Sequence, residues 1–286
     1  MRTVLDLLDA ATKNNQTLGQ ASLAWQAKHD GQTEEHAWNT MHKMLAVMRE
    51  SAQAGLSPDL RSVSGMVGGQ AAKMIQPTHA SRFGMLGKAC AYALSIAESN
   101  ACMGKIVAAP TAGSCGILPG ALLAAQEDAG YTDDELVWGL FTGAAIGRAI
   151  AIGATISGAE GGCQAECGAA AGMAAAALVE LYGGTPQQAC DACGFALMNM
   201  MGLVCDPVHG LVEIPCVYRN VGGVSQALSA AQMALCGIRC PLPCDEIILA
   251  MKDVGDAMPP SLRETGDGGC AACHSARKHR MIQNSD

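Results

Sequence analysis

Apolar residues recur along this chain at helical intervals and almost nowhere in strict alternation. That is the period of helices rather than strands. Residues 3–14 read as a short amphipathic helix. Over 17–55 the positions Leu18, Leu23, Trp25, Trp38, Met41, Met44, Leu45 and Met48 keep the helical step, with Gly31 as the break. Ala54-Gly55 followed by Ser57-Pro58 is a helix stop. Residues 56–83 are loop-rich, and helix returns over 84–104. After the turn-rich PTAGSCGILPG (110–120), helices are expected at about 120–130, 133–157, 164–183 and 186–203. CDPVHGLVEIPCVYRN (205–220), with two prolines, reads as loop. Helices at about 220–237 and 243–256 follow, and an irregular tail of about 257–286 closes the chain. The pattern predicts an all-α fold: one multi-helix globular domain over 1–286, with glycine-rich loops between helices.

Composition narrows this. Half the residues are hydrophobic but only 3% are aromatic, so the core must be built from Ala, Leu, Ile, Val, Met and Cys. The 34 glycines let helices approach closely. The net charge of −8 comes without a clustered basic face, which excludes a nucleic-acid footprint. The short basic run at 277–280 reads as a solvated tail. The stretch MRTVLDLLDAATKNN carries Asp6 and Asp9 and is not a signal peptide. The most apolar region, 136–159, is interrupted by Arg148, and each side falls short of the ~18 residues a membrane helix wants. A buried core helix in a cytoplasmic protein, with no membrane contact, is the expectation.

Fourteen cysteines in such a chain point to metal ligation or redox chemistry rather than disulfides. Most must still be packing residues, and Cys90, Cys102, Cys236, Cys240 and Cys244 are read so. Cys190 and Cys193 (CDAC) fall in an apolar helix and are also read as packing. Cys270, Cys273 and His274 (CAACH) match the haem c attachment pattern without an export context, and a zinc half-site is the better alternative there. Three cysteines differ: Cys163 in GAEGGCQAECG, Cys205 in VCDPVHG and Cys216 in EIPCVYRN. Each is expected at a loop–helix junction, where a thiolate can reach a shared metal and a helix N-terminus stabilises its charge. Three thiolates on a four-iron cluster leave one iron open to substrate, whereas four fill it. Spacing alone favours simple burial for these three. Cys167, four residues after Cys163, is a further candidate ligand.

The loops SGMVGGQAAK (64–73) and PTAGSCG (110–116) place small residues where backbone N–H groups can cradle an anion. Neither matches a nucleotide fingerprint. Lys73 reads equally as an anion anchor or a surface lysine. His79 and His209 are the histidines near loops.

Taken together, PTAGSCGILPG, GAEGGCQAECG, CDPVHGLVEIPC and MPPSLRET resemble the α chain of iron–sulfur-dependent L-serine dehydratases, over roughly residues 50–270. The resemblance implies a mainly helical catalytic domain that converts L-serine to pyruvate and ammonia. It implies Cys163, Cys205 and Cys216 as ligands of a [4Fe–4S] cluster with one open iron. It also implies a β chain with an ACT-like domain and a homo- or hetero-oligomer. The substrate carboxylate would be cradled by Ser64, Gly65, Thr111, Ala112, Gly113 and Ser114, with help from Lys73. Arg219 and Asn220 are further substrate candidates. For the base, Thr111 or Ser114, His209 and a β-chain histidine all stand. No pyridoxal phosphate is needed. The cysteine-rich tail around Cys270 and Cys273 departs from the family. A cluster-dependent L-cysteine desulfidase and a non-catalytic iron–sulfur or zinc scaffold subunit are the alternatives.

Overall fold

The computed structural model describes residues 2–283, with side chains as far as His279. Among these residues every regular element is helical, and one isolated bridge joins Cys205 to Arg263. The chain opens with α1 (Val4–Lys13), α2 (Leu18–Asp30) and α3 (Glu34–Ala54). Their starts are set by hydroxyls: Thr3, Thr17 and Thr33 each accept an N–H of the first turn, and Thr3 and Thr17 complete capping boxes with Asp6 and Gln20. A loop then leads through the short α4 (Ala71–Met74) and α5 (Pro77–Ala80) to α6 (Met85–Ala101).

The core follows: α7 (Ile117–Ala129), α8 (Asp133–Gly153), the single turn α9 (Gly158–Gly161), a π-helical turn at Gln164–Gly168, α10 (Ala169–Leu181), α11 (Pro186–Met200), α12 (Cys216–Leu235) and α13 (Cys244–Ala257). Helix α10 is the axle. Its residues 169–179 are all buried, and α7, α8, α11 and α12 pack around it. A helix apolar on every face has no place but the interior. Its many alanines lose no rotamer freedom on burial. Close approach is visible between α6 and α7, where a Cβ on Gly116 would lie 2.2 Å from the Ala93 carbonyl oxygen.

Helix α8 is long and apolar enough to span a membrane by length and composition, but 61% of that stretch is buried inside the domain. Arg148, which interrupts it, stacks its guanidinium 4.0 Å from the Trp25 ring centre.

Three carboxylates, Glu98 and Glu213 buried and Glu180 half-buried, tie loops and helix starts to the core. Glu180 of α10 accepts the Leu18 and Gly19 N–H groups and the Thr142 hydroxyl. Glu98 of α6 accepts the N–H groups of Gly68, Gln70 and Ala71 at 2.9–3.1 Å. Glu213 accepts the Ser62 hydroxyl at 2.6 Å and the Ser64 N–H at 3.1 Å.

Two boundaries differ from the sequence reading. Helix α12 starts at Cys216, inside the segment read as loop, because Pro215 occupies its N-cap and costs no helical N–H there. The tail read as irregular carries 3-10 turns at Pro260–Leu262 and Gly269–Ala272 and a final helix, α14 (His274–Gln283). That helix, HSARKHRMIQ, is polar and lacks an apolar stripe, so periodicity could not announce it.

Candidate functional site

Helices α10, α11 and α12 pack against one another, and this brings three separate segments together. Cys163 precedes α10 at the N-cap of the π turn. Cys205 follows α11, fixed by backbone bonds to Leu262 (2.8 Å) and from Glu264 (2.6 Å). Cys216 is the first residue of α12. All three are buried, at 2%, 2% and 6% exposure.

Their electrostatics are linked, which sets the three thiols near one another. Burial pushes the Cys205 thiol up, and Cys163, Glu166 and Cys216 add like-charge repulsion. Burial likewise raises Cys216 to about 12, with Cys163 and Glu166 contributing. Cys163 moves the other way. Its sulfur and that of Cys167 are hydrogen-bonded across 3.4 Å, and the Arg219 guanidinium offsets part of the cost of burial. Cys167 is correspondingly held well above its ordinary value. Of the pair, Cys163 is the more acidic thiol. A π turn, a form frequent at functional sites, begins just after Cys163 and contains Cys167.

Arg219 is the cation of this pocket. One nitrogen pairs with Asp206 Oδ1 at 2.6 Å, another donates to the Val204 carbonyl at 2.7 Å, and the guanidinium also reaches Cys163. Asp206 is held in turn by the Cys270 N–H at 2.6 Å.

Glu166 stands beside the thiols. Its Oε1 accepts the Thr111 hydroxyl at 2.9 Å, and its Oε2 lies 4.0 Å from Cys205 Sγ. Burial raises this carboxyl, while Thr111 and Arg219 oppose the rise. Since Thr111 spends its proton on Glu166, Ser114 Oγ donates to Thr111 Oγ1 at 3.1 Å. The result is a directed chain, Ser114 to Thr111 to Glu166. Two glycines leave room for the carboxylate: a Cβ on Gly158 would sit 2.6 Å from Oε2, and one on Gly113 3.3 Å from Oε1.

The loop 111–116 is clamped by Asn220, which donates to the Gly113 carbonyl at 2.8 Å and accepts the Gly116 N–H at 2.9 Å. Among the described residues, no protein acceptor takes the successive N–H groups of Ala112, Gly113 and Ser114. Successive free N–H groups in a turn are the makings of an anion nest.

The structure thus gathers Cys163, Cys205, Cys216, Thr111, Ala112, Gly113, Ser114, Arg219 and Asn220 into one neighbourhood. Others lie apart or are engaged elsewhere. Ser64 bonds to Glu213 through its N–H and its hydroxyl, and Gly65 is exposed beside it. Lys73 is exposed on α4. His209 takes a left-handed φ of 59° and sets its ring 5.7 Å from that of His279 on α14. Cys190, Cys193 and Cys244 are buried among α11 and α13, as packing residues should be. The sequence reading missed Glu166 and Asp206. The signal for Glu166 was present: a lone charge three residues after Cys163 in a run of small and apolar residues.

Comparison with known proteins gives this geometry a family. The family model for the serine dehydratase alpha chain matches residues 3–271. The chain belongs to the serine dehydratase alpha chain family. This alpha chain is 44% identical over 280 residues to a probable L-serine dehydratase alpha chain of Bacillus subtilis (strain 168), covering 97% of this chain and 93% of that one. It is 41% identical over 283 residues to the L-serine dehydratase alpha chain of Peptoniphilus asaccharolyticus, covering 98% and 97%. It is also 43% identical over 182 residues to L-serine dehydratase TdcG of Escherichia coli (strain K12), where the match spans 63% of this alpha chain and 40% of that protein.

Proposed function

We propose that this alpha chain is the catalytic part of an L-serine ammonia-lyase, converting L-serine to pyruvate and ammonia. The observation that carries the reading is the buried three-thiol pocket with the Ser114–Thr111–Glu166 chain at its edge. The alpha-chain family implies a partner beta chain. An ACT-like domain on that partner, an oligomeric assembly and a cytoplasmic setting belong to the same proposal.

The donor set suits an iron–sulfur cluster better than a single ion. Among the described residues, no group of three or more His, Cys, Asp or Glu side chains converges as one metal ion requires. A lone zinc needs its thiolates about 2.3 Å from one centre. A cluster spreads its thiolates over separate irons, so thiols that share a pocket without converging fit it. Cys163, Cys205 and Cys216 would hold a [4Fe–4S] cluster. When bound there, such a cluster supplies an open iron as a Lewis acid for the hydroxyl at Cβ.

The remaining work falls to the chain itself. Arg219 offsets the charge of Cys163, which lets thiolates sit in a buried pocket. The nest at 112–114 receives the substrate carboxylate, and neutralising that carboxylate makes the Cα proton easier to remove. Asn220 keeps the nest in shape by holding Gly113 within it and Gly116 just after it. Thr111 and Ser114 present hydroxyl oxygens at the same edge, and either is a candidate for the base.

Anaerobic purification with iron and sulfide analysis, followed by assay of pyruvate from L-serine and from L-cysteine, tests the reading. About four irons per chain is expected, with L-serine preferred and colour lost in air. Cys163→Ala, Cys205→Ala and Cys216→Ala are each expected to abolish pyruvate release while circular dichroism stays helical. Stoichiometric zinc, a preference for L-cysteine, or active cysteine variants would overturn it.

A further inference from the structure

Four buried or half-buried carboxylates have now been described besides Glu166, and each is engaged by strong protein donors or an ion pair. Glu98 takes three backbone N–H groups, and Glu180 takes two with a hydroxyl. Glu213 takes serine donors, and Asp206 takes Arg219 and the Cys270 N–H. Glu166 is the exception. It accepts one hydroxyl at Oε1, and Oε2 has only the Cys205 thiol at 4.0 Å. A carboxylate oxygen in a half-buried pocket that lacks a strong donor has capacity for one.

Its position says what kind. The Gly113 backbone is part of the anion nest, and Glu166 Oε1 would lie 3.3 Å from a Cβ on that same residue. An anion socket and a cation-seeking carboxylate therefore abut, within the width of one residue. An α-amino acid presents a carboxylate and an ammonium on the same carbon, which is the complementary arrangement. Gly158 and Gly113, lacking side chains, let the carboxylate pack directly against backbone on both flanks. The nearby guanidinium of Arg219 is already spent on Asp206, the Val204 carbonyl and Cys163.

We infer that Glu166 recognises the ammonium of the amino-acid substrate, beside a nest at Ala112–Ser114 that takes its carboxylate. This rests on the ammonia-lyase reading and sharpens it: the site selects amino acids over hydroxy acids through one carboxylate. Besides standing as a candidate base, Thr111 positions Glu166 through the 2.9 Å hydrogen bond.

The test compares L-serine with L-glycerate, in which a hydroxyl replaces the ammonium, using anaerobically loaded wild type, Glu166→Gln and Glu166→Asp. Iron and sulfide are counted in each. Expected for Glu166→Gln is a KM for L-serine raised about 10- to 100-fold, the loss of a charge-assisted bond. Inhibition by L-glycerate should be unchanged, and Glu166→Asp should fall between. A kcat loss at constant KM, or equal weakening of both ligands, would overturn the inference. Should the Gln variant load poorly, wild type decides alone, because equal affinity for the two compounds also overturns it. Wild type that is fully loaded and assayed together with its beta chain, yet inert toward L-serine, would instead sink the ammonia-lyase reading, so the two failures are distinguishable.

Discussion

At the scale of single residues, the site is defined as much by what is missing as by what is present. Gly158 has no Cβ, and one placed there would meet Glu166 Oε2 at 2.6 Å and Cys205 Sγ at 3.0 Å. Neither neighbour is free to retreat, since Cys205 is pinned to Leu262 and Glu264 and Glu166 is tied to Thr111. Gly158→Ala is therefore expected to cost about 1–3 kcal/mol, as overpacking does. It should also reduce iron loading, because the strain falls on a cysteine of the pocket. Urea unfolding and iron analysis check this, and an unchanged midpoint with full iron would contradict it. Arg219 makes the complementary point. One guanidinium joins Asp206, Val204 and Cys163, so the residue after Cys205 and the residue before it are both oriented by a side chain from α12.

Among elements, α10 carries most of the organisation, and its one acidic residue has a titration consequence. Burial raises Glu180, so the folded chain binds that proton more tightly than the unfolded chain does. The associated stability is full below the ordinary value of 4.5 and is lost as pH rises through the raised one. Glu180→Gln should abolish that loss. The variant should gain on wild type with rising pH by about 1.4 kcal/mol for each tenfold tightening of the proton. Urea midpoints of both proteins from pH 4 upward measure it, and a constant difference would refute it. The same helices show what a sequence reveals and hides. Thr3, Thr17 and Thr33 announce helix starts because capping is local. The three loop cysteines and the hydroxyl loop were legible as motifs and through the family they resemble. Glu166 was not assigned, because its meaning depends on Thr111 and Gly113 coming from a different loop. The π turn after Cys163 has no local signature in QAECG, and α14 has no apolar stripe to betray it.

For the whole molecule, the pocket exists only when distant parts of the chain are in place together. Thr111, Cys163, Cys205, Cys216 and Leu262 reach it from five segments. No single helix or hairpin contains the site, so loss of the thiol pocket and global unfolding should be one event. The same long-range logic acts on the loop ahead of α4. Its N–H groups at Gly68, Gln70 and Ala71 end on Glu98, a carboxylate with 0% exposure inside α6. Opening that loop would strand a buried charge, which costs far more than fraying a solvated turn. In deuterated water these three amides should therefore exchange as slowly as those at the centre of α6, although they belong to a loop. Glu98→Gln should speed them selectively, and fast exchange in wild type would show that the loop opens independently. A deuterium map of this alpha chain would then draw its most protected region across a stretch that secondary structure alone would mark as soft.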